Sequence, residues 1–199
     1  MIVKSHYARV SRVSQKKASS ALASHFKYLQ YRERDPVTEA KADRQVFDGR
    51  HDHVDRRAAH RSLMEEEPAG DIYYHRMVLS PAHDEPVEDL RAWTRAVMQD
   101  LEERKGLDLE WYAVQHRNTD EPHVHVVIGG TGTDRETGRE EAVRFSRDDF
   151  QAMRESGRDH SDYEHYHLIR ETLRELDERD TLPQEMPTHE HERLLQQER

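Results

Sequence analysis

Three histidines, His116, His123 and His125, are the residues of this chain whose type and spacing point most directly to chemistry. His123 and His125 are separated by one residue in an apolar, β-branched stretch, so on a strand both imidazoles project from the same face. His116 closes the apolar run before a polar turn, and an antiparallel hairpin would bring the three rings together. Imidazole is the commonest side-chain ligand of divalent transition metals, and three protein nitrogens with open positions are typical of catalytic sites. The pattern therefore predicts a metal-dependent enzyme.

Chance clustering is the competing explanation, because the chain contains 15 histidines. The same His-x-His spacing occurs in His51 with His53 and in His189 with His191. Both lie in charged, loop-like sequence. The pair at positions 123 and 125 alternates with the valines at 124 and 126, which would face a core. We therefore place the metal site there.

Composition limits the class of protein. A chain of 199 residues fits one domain, and because its charged fraction (36%) exceeds its hydrophobic fraction (34%), much of it must be exposed helix, loop or tail. Cysteine is absent, so disulfides and thiolate metal sites are excluded, and the possible ligands are His, Asp and Glu. There is no apolar run of membrane-spanning length and no signal peptide, so we expect a cytoplasmic protein without a membrane partner.

Charge is unevenly distributed. The formal net charge of −10 is unfavourable for a protein that binds a polyanion. Between positions 4 and 34, however, the lysines and arginines face a single acidic residue, Glu33. A locally basic surface on an acidic protein is compatible with nucleic-acid binding.

Hydrophobic periodicity predicts an α+β fold with a central antiparallel sheet of about five strands, the histidines on one exposed face and helices packed on the other. The expected strands are 2–10, 72–80, the two arms of the histidine hairpin up to Gly129-Gly130, and 142–145. The expected helices follow a serine N-cap at Ser19-Ser20, span 56–67, run from Pro86 to Lys105 with a C-terminal cap at Gly106, and occupy most of 146–180. Residues 35–70 are predicted to be a charged insertion, and 181–199 a disordered polar tail.

The first of these helices carries a second group of chemically relevant residues, Lys27, Tyr28, Tyr31 and Arg32. Aromatic residues at helical spacing are usually core, and basic residues beside them are usually a solvated edge. Next to a metal site, however, a tyrosine hydroxyl can attack phosphorus and form a covalent intermediate, while the metal stabilises the charge on the phosphate. Both tyrosines could lie near one face of the helix.

Three segments of the chain together resemble the mobilisation relaxases of conjugative plasmids and integrative elements, a family of the HUH (His-hydrophobe-His) endonucleases. The segments are SHFKYLQYRERD, YYHRMVLSP with the EDLRAWTRAVMQDLEERKG helix, and LEWYAVQHRNTDEPHVHVVIGG. The resemblance covers roughly positions 4–173 and keeps the order and approximate spacing of the family's motifs. The sequence departs from the wider family at two positions. Asn118 stands where an Asp is frequent, and Gly129 where an Asn is frequent. Asp120 becomes the candidate carboxylate for orienting His116.

The resemblance implies a function and a set of roles. Tyr28 would be the nucleophile, since it fits the family's His-x-x-Tyr pattern from His25, and Tyr31 would be its rival. The three histidines would hold Mn²⁺ or Mg²⁺, and softer nitrogen ligands favour Mn²⁺. The substrate would be single-stranded DNA at the nick site of a transfer origin, with Lys27, Arg32 and Arg76 as phosphate contacts. Accessory relaxosome proteins and a coupling protein are possible further partners.

Two other functions fit the same residues. A replication initiator or transposase of the HUH group would share the metal and the tyrosine, but it would act at a replication origin or at the end of an element. A non-catalytic DNA-binding remnant would keep the fold alone. The complete set of three histidines and Tyr28 favours the relaxase, and residues 1–180 would form its nicking domain.

Overall fold

The structure, a computed structural model, describes residues 1–31, 44–65, 67–117, 121–162 and 174. Residues Met1–Tyr163 form one compact unit and 164–199 a second. The fold described here is that of the first unit. The predicted polar tail at 181–199 lies outside the described residues.

The centre of the unit is an antiparallel sheet, of which the described residues form six strands. They are β1 (Ile2–Arg9), β2 (Val46–Phe47), β3 (Ile72–Ser80), β4 (Leu107–His116), β5 (His123–Asp134) and β6 (Glu140–Ala142). The strand order is β1-β3-β5-β4-β2, and β6 pairs with the far end of β5. The α+β class and the antiparallel sheet predicted from the sequence are confirmed. The histidine hairpin is the pairing of β4 with β5 at its centre.

Within the described residues, four helices accompany the sheet: α1 (Gln15–Tyr31), α2 (Arg56–Glu65), α3 (Leu90–Lys105) and α4 (Arg147–Asp159). Helices α3 and α4 pack on one face, where Trp93 and Val97 bury against Met77 and Val126. This is the core that the sequence predicted. Helices α1 and α2 pack on part of the other face, which the sequence analysis expected to be exposed. They form a second core there with the strand residues Val114 and Val127.

Helix α1 begins earlier than the serine pair predicted. It starts at Gln15, and the Ser14 hydroxyl accepts a hydrogen bond from the backbone N–H of Lys17 at 3.4 Å. Ala18 is buried and extends the apolar stripe one turn towards the N-terminus. The Ser19 hydroxyl instead meets Nε2 of His60 on α2 at 3.1 Å. The serine therefore helps to connect two helices and does not cap one.

Helix α3 begins at Leu90 and not at Pro86. Asp89 is its N-cap, and its carboxylate accepts hydrogen bonds from the backbone N–H groups of Arg91 and Ala92. The predicted end is correct, because Gly106 adopts the left-handed conformation with φ of 64°.

Strand β5 continues through the Gly129-Gly130 pair, where the sequence predicted its end. At Gly130 a Cβ would lie 1.7 Å from the carbonyl oxygen of Ile72 on β3. Glycine is required here for a close approach of two strands and not for a turn. The longer β5 therefore carries the histidine site near its start and pairs with β6 near its end.

Candidate metal centre and nucleophile helix

The three predicted histidines converge at one end of the β4–β5 hairpin. His116 and His123 are directly paired across the two strands, and His125 is paired with Val114. The ring centroids lie 5.1 Å (His116 to His123), 4.8 Å (His116 to His125) and 5.0 Å (His123 to His125) apart. One nitrogen from each ring lies within 4.8 Å of one from each of the other two.

The hydrogen bonds of the histidines fix which ring nitrogens are available as ligands. His116 Nε2 lies 3.0 Å from the carbonyl oxygen of Leu29, and His123 Nδ1 lies 2.9 Å from that of Glu121. A carbonyl only accepts, so both of these nitrogens must carry a proton. Nδ1 of His116 and Nε2 of His123 are left as lone-pair donors. Ligand histidines in metalloproteins are commonly oriented in this way by their second nitrogen.

The environment of the site lowers the pKa of two of its imidazoles, His125 and His25. Burial, followed by the positive charges of His116, His123, His25 and Arg44, lowers the pKa of His125 to about 3. Burial and Arg76 lower the pKa of His25 to about 4. Near neutral pH both rings are therefore deprotonated, which is the state in which imidazole binds a metal.

A divalent ion fits this donor set. Three nitrogens bound to one ion at about 2.1 Å are at most about 3.6 Å apart from one another, so the rings would have to move together by roughly 1 Å. All three donors are imidazole nitrogens, and carbonyl groups fix the tautomers of two of the three histidines. Within the described part of the chain, this is the one cluster of three possible metal ligands. Three ligands leave coordination positions for a substrate oxygen.

Helix α1 is fixed against this site at its C-terminal end. Phe26 and Leu29 are fully buried in the second core, and the Leu29 carbonyl accepts the hydrogen bond from His116. The His25 ring stacks edge-on to His125, with centroids 6.2 Å apart. The helix that carries both tyrosines is therefore held directly beside the histidines, and His25 is a fourth imidazole that sequence reasoning used only to align the motif.

The two tyrosines differ in their position on α1. At 100° per residue, Tyr28 lies about 60° around the helix from His25, whereas Tyr31 lies about 120° away from it. The Tyr31 ring lies beneath the guanidinium of Arg56 on α2, 5.8 Å from the ring centroid, and is 59% exposed. Tyr28 is 42% exposed. The side of α1 that faces the histidines is therefore the side of Tyr28.

The predicted DNA contacts are only partly described. Lys27 is exposed on α1, and Arg76 is half-buried on β3, where it acts electrostatically on His25. Nε of Arg76 is buried and has no hydrogen-bond partner among the described residues. Arg32 and Asp120 lie outside the described residues. The sequence analysis missed Arg44, which is 5% exposed and close enough to lower the pKa of His125.

None of the helices in the described ranges is both long enough and apolar enough to cross a membrane.

No match is found among curated proteins. The model of one protein family, described as "Relaxase: MobA/VirD2-like, nuclease domain", matches residues 31–180. Tyr31 is the first matched position, and Tyr28 precedes it. Because the match covers more than half of the chain and contains all three histidines, this protein belongs to the MobA/VirD2-like relaxase nuclease family.

Proposed function

We propose that this protein nicks and rejoins single-stranded DNA at a transfer origin, through a covalent 5′-phosphotyrosyl intermediate and with a divalent metal. The observation that carries the proposal is the convergence of His116, His123 and His125 next to helix α1. The contact between His25 and His125 supports it, because Tyr28 lies about 60° around that helix from His25.

Tyr28 is the proposed nucleophile. Its phenolic oxygen attacks the scissile phosphorus and gives up its proton, a phosphotyrosyl bond forms, and the bond to O3′ of the departing strand breaks. That oxygen takes up a proton and becomes a free 3′-hydroxyl. Attack by a 3′-hydroxyl on the phosphotyrosine reverses each step and reseals the strand. Tyr31, whose ring packs under Arg56, is the alternative nucleophile.

His116, His123 and His125 would hold the metal, which when bound polarises the scissile phosphate and offsets the charge that develops on its oxygens. The role of the protein is to orient these rings. The Leu29 carbonyl does so for His116 and the Glu121 carbonyl for His123. Asp120 is the proposed carboxylate partner of His116. Nitrogen ligands favour Mn²⁺ over Mg²⁺.

Lys27, Arg32 and Arg76 are proposed to bind phosphates of the single strand. The Nε of Arg76 supports this role, because it is a buried donor with no acceptor among the described residues, which is costly, and a phosphate oxygen would satisfy it. We place the reaction in the cytoplasm, with accessory relaxosome proteins and a coupling protein as partners. The family match favours this assignment over a replication initiator or a transposase.

A labelled single-stranded oligonucleotide that contains the nick site of its own element tests the proposal. With a 3′ label and Mn²⁺, a tyrosine nucleophile produces a labelled species shifted on a denaturing gel by the mass of the protein, and peptide mapping should place the adduct on Tyr28. Tyr28→Phe removes one oxygen from an exposed side chain, so it should eliminate the adduct without unfolding the helix. Tyr31→Phe is the matched control and should still form it.

Each other outcome has a defined meaning. If Tyr31→Phe abolishes the adduct and Tyr28→Phe does not, the nucleophile is Tyr31 and the reaction stands. If cleavage occurs in both variants without any adduct, metal-bound water is the nucleophile and the tyrosyl mechanism is wrong. If the unaltered protein binds the strand but never cuts it, the non-catalytic remnant is the correct description.

A further inference from the structure

The last residue of helix α1 is the most exposed large apolar side chain in the described part of the chain. Tyr31 is 59% exposed, whereas Phe26 and Leu29 on the same helix are fully buried. Tyr31 belongs to neither of the two hydrophobic cores. An aromatic ring gains free energy when its apolar surface leaves water, and this ring has not done so within the fold.

The Tyr31 ring lies beneath an arginine that has no carboxylate partner. The Arg56 guanidinium covers one face of the ring, 5.8 Å from its centroid. Among the described residues, no hydrogen bond or ion pair occupies the Arg56 side chain, whereas Arg95 and Arg104 each bind an aspartate. The second face of the ring and the N–H donors of Arg56 are therefore open to a ligand.

Tyr31 lies next to the proposed nucleophile on the helix surface. Leu29, two residues before it, accepts the hydrogen bond from His116, so Tyr31 is less than one helical turn beyond that contact. Around the helix axis, Tyr28 lies between His25 and Tyr31, at steps of about 60°. A strand whose scissile phosphate lies at Tyr28 would therefore meet Tyr31 within the next nucleotides.

An aromatic ring with a cation beside it fits single-stranded DNA, because bases stack on aromatic rings while basic side chains follow the backbone. We propose that Tyr31 stacks a base of the DNA strand next to the nick, and that Arg56 binds an adjacent phosphate. This inference rests on the proposed function and adds a base-binding pair to it. Every base has a π-face, so the pair holds the strand in place without reading its sequence.

The stacking contact is tested by the affinity for single-stranded DNA that spans the nick site, measured in EDTA. Tyr31→Ala should weaken binding about 5- to 150-fold, the range for one lost base stack. Tyr31→Phe should keep the affinity, because stacking needs the ring and not the hydroxyl. Tyr7→Ala is the matched control. Its ring is 51% exposed and lies 5.2 Å from the Arg9 guanidinium, but on the sheet face opposite to the histidines, so binding should not change.

The phosphate contact of Arg56 is tested by the salt dependence of the same binding. For single strands, each phosphate contact contributes about 0.7 to the slope of log K against log salt, so Arg56→Gln should reduce the slope by about 0.7. Arg139→Gln, in the exposed turn after the far end of β5, removes an equal charge and should leave the slope unchanged. An unchanged slope in folded Arg56→Gln would refute this contact.

Photochemical cross-linking locates the stacked base without any substitution in the protein. The oligonucleotide carries 5-iodouracil at one position at a time on both sides of the scissile phosphate, because this base cross-links to a stacked aromatic ring on irradiation. At one position, fragmentation of the cross-linked peptide should place the bond on Tyr31. A strand that is bound but never cross-links to Tyr31 refutes the stacking.

The outcomes separate this inference from the proposed function. If the Tyr28 adduct forms with Mn²⁺ and folded Tyr31→Ala binds DNA as tightly as the unaltered protein, only the role of Tyr31 is wrong. If Tyr31→Ala and Tyr31→Phe both lose the adduct while their DNA affinity is unchanged, Tyr31 is the nucleophile and the stacking is refuted. If the unaltered protein binds no single-stranded DNA, the proposed function fails and this inference fails with it.

Discussion

The double substitution His123→Ala with His125→Ala should abolish metal binding and leave the fold intact. Two of the three nitrogens of the cluster are lost, and the remaining imidazole of His116 offers only one ligand. Neither His123 nor His125 belongs to the two hydrophobic cores, whose β5 residues include Val126 and Val127. The packing of the hairpin on its helices should therefore persist.

The expected magnitude follows from linkage between metal binding and folding. At a Mn²⁺ concentration about a hundredfold above the dissociation constant, one bound ion stabilises the folded protein by about 2.7 kcal/mol. In a chain of this size about 1 kcal/mol changes the melting temperature by about 2–4 °C, so Mn²⁺ should raise it by about 5–10 °C. The double variant should show no increase, and calorimetry should show about one ion per unaltered chain.

The matched control is His51→Ala with His53→Ala, which removes a pair with the same spacing. His51 is exposed, and its Nδ1 lies 3.2 Å from the Asp48 carboxylate. Among the described residues, His51 is not part of a cluster of three possible metal ligands. This variant should retain the full Mn²⁺-dependent increase in melting temperature. If the first variant keeps the increase and the control loses it, the metal binds near Asp48 and the reasoning from the hairpin is refuted.

Two further predictions concern stability. Gly130→Ala should destabilise the protein by about 3 kcal/mol or more in urea unfolding, because the added Cβ would overlap a backbone carbonyl of β3. In the control Gly129→Ala the added Cβ makes only ordinary contacts, so the free energy of unfolding should change by no more than about 1 kcal/mol. Equal effects of the two substitutions would contradict the close approach at Gly130. Burial lowers the pKa of His75, and its Nε2 hydrogen bond to the Val143 carbonyl opposes this. The unfolded state therefore binds the proton more readily than the folded state. His75 contributes stability above about pH 6.5, and this contribution is lost as the pH falls through and below that value. Each unit of difference between the two pKa values corresponds to about 1.4 kcal/mol of unfolding free energy. The difference in unfolding free energy between the unaltered protein and His75→Gln should shrink from pH 7.5 to pH 5, and a constant difference would refute the assignment.

The sequence predicted the structure best where a feature depends on neighbouring residues in the chain. Alternation along β5 predicted that His123 and His125 share a face, because a strand with one core-facing side must alternate. The cap at Gly106 was predicted correctly because it depends on backbone conformation alone. The antiparallel hairpin followed from one polar turn between two apolar runs.

The errors arose where a residue type serves a distant partner. The Ser19 hydroxyl contacts His60 on another helix, and Gly130 allows an approach to Ile72. Neither partner can be identified from neighbouring positions. Arg44 is the same case at the candidate site, because it is one charge in a highly charged segment and only the pairing of β2 with β4 brings it opposite His116.

The net charge of −10 does not by itself argue against a DNA site at the histidines, because some of the acidic residues lie far from them along β5. Its first residues carry the imidazoles, while Asp108 and Glu140 lie level with Thr133 near its other end. At about 3.3 Å per residue, the ten residues from His123 to Thr133 span up to about 33 Å. Screening at physiological ionic strength acts over about 8 Å, so the distant carboxylates contribute little repulsion at the site. Arginines near the histidines can therefore determine phosphate binding locally, and the salt dependence of binding should follow these contacts and not the charge of the whole chain.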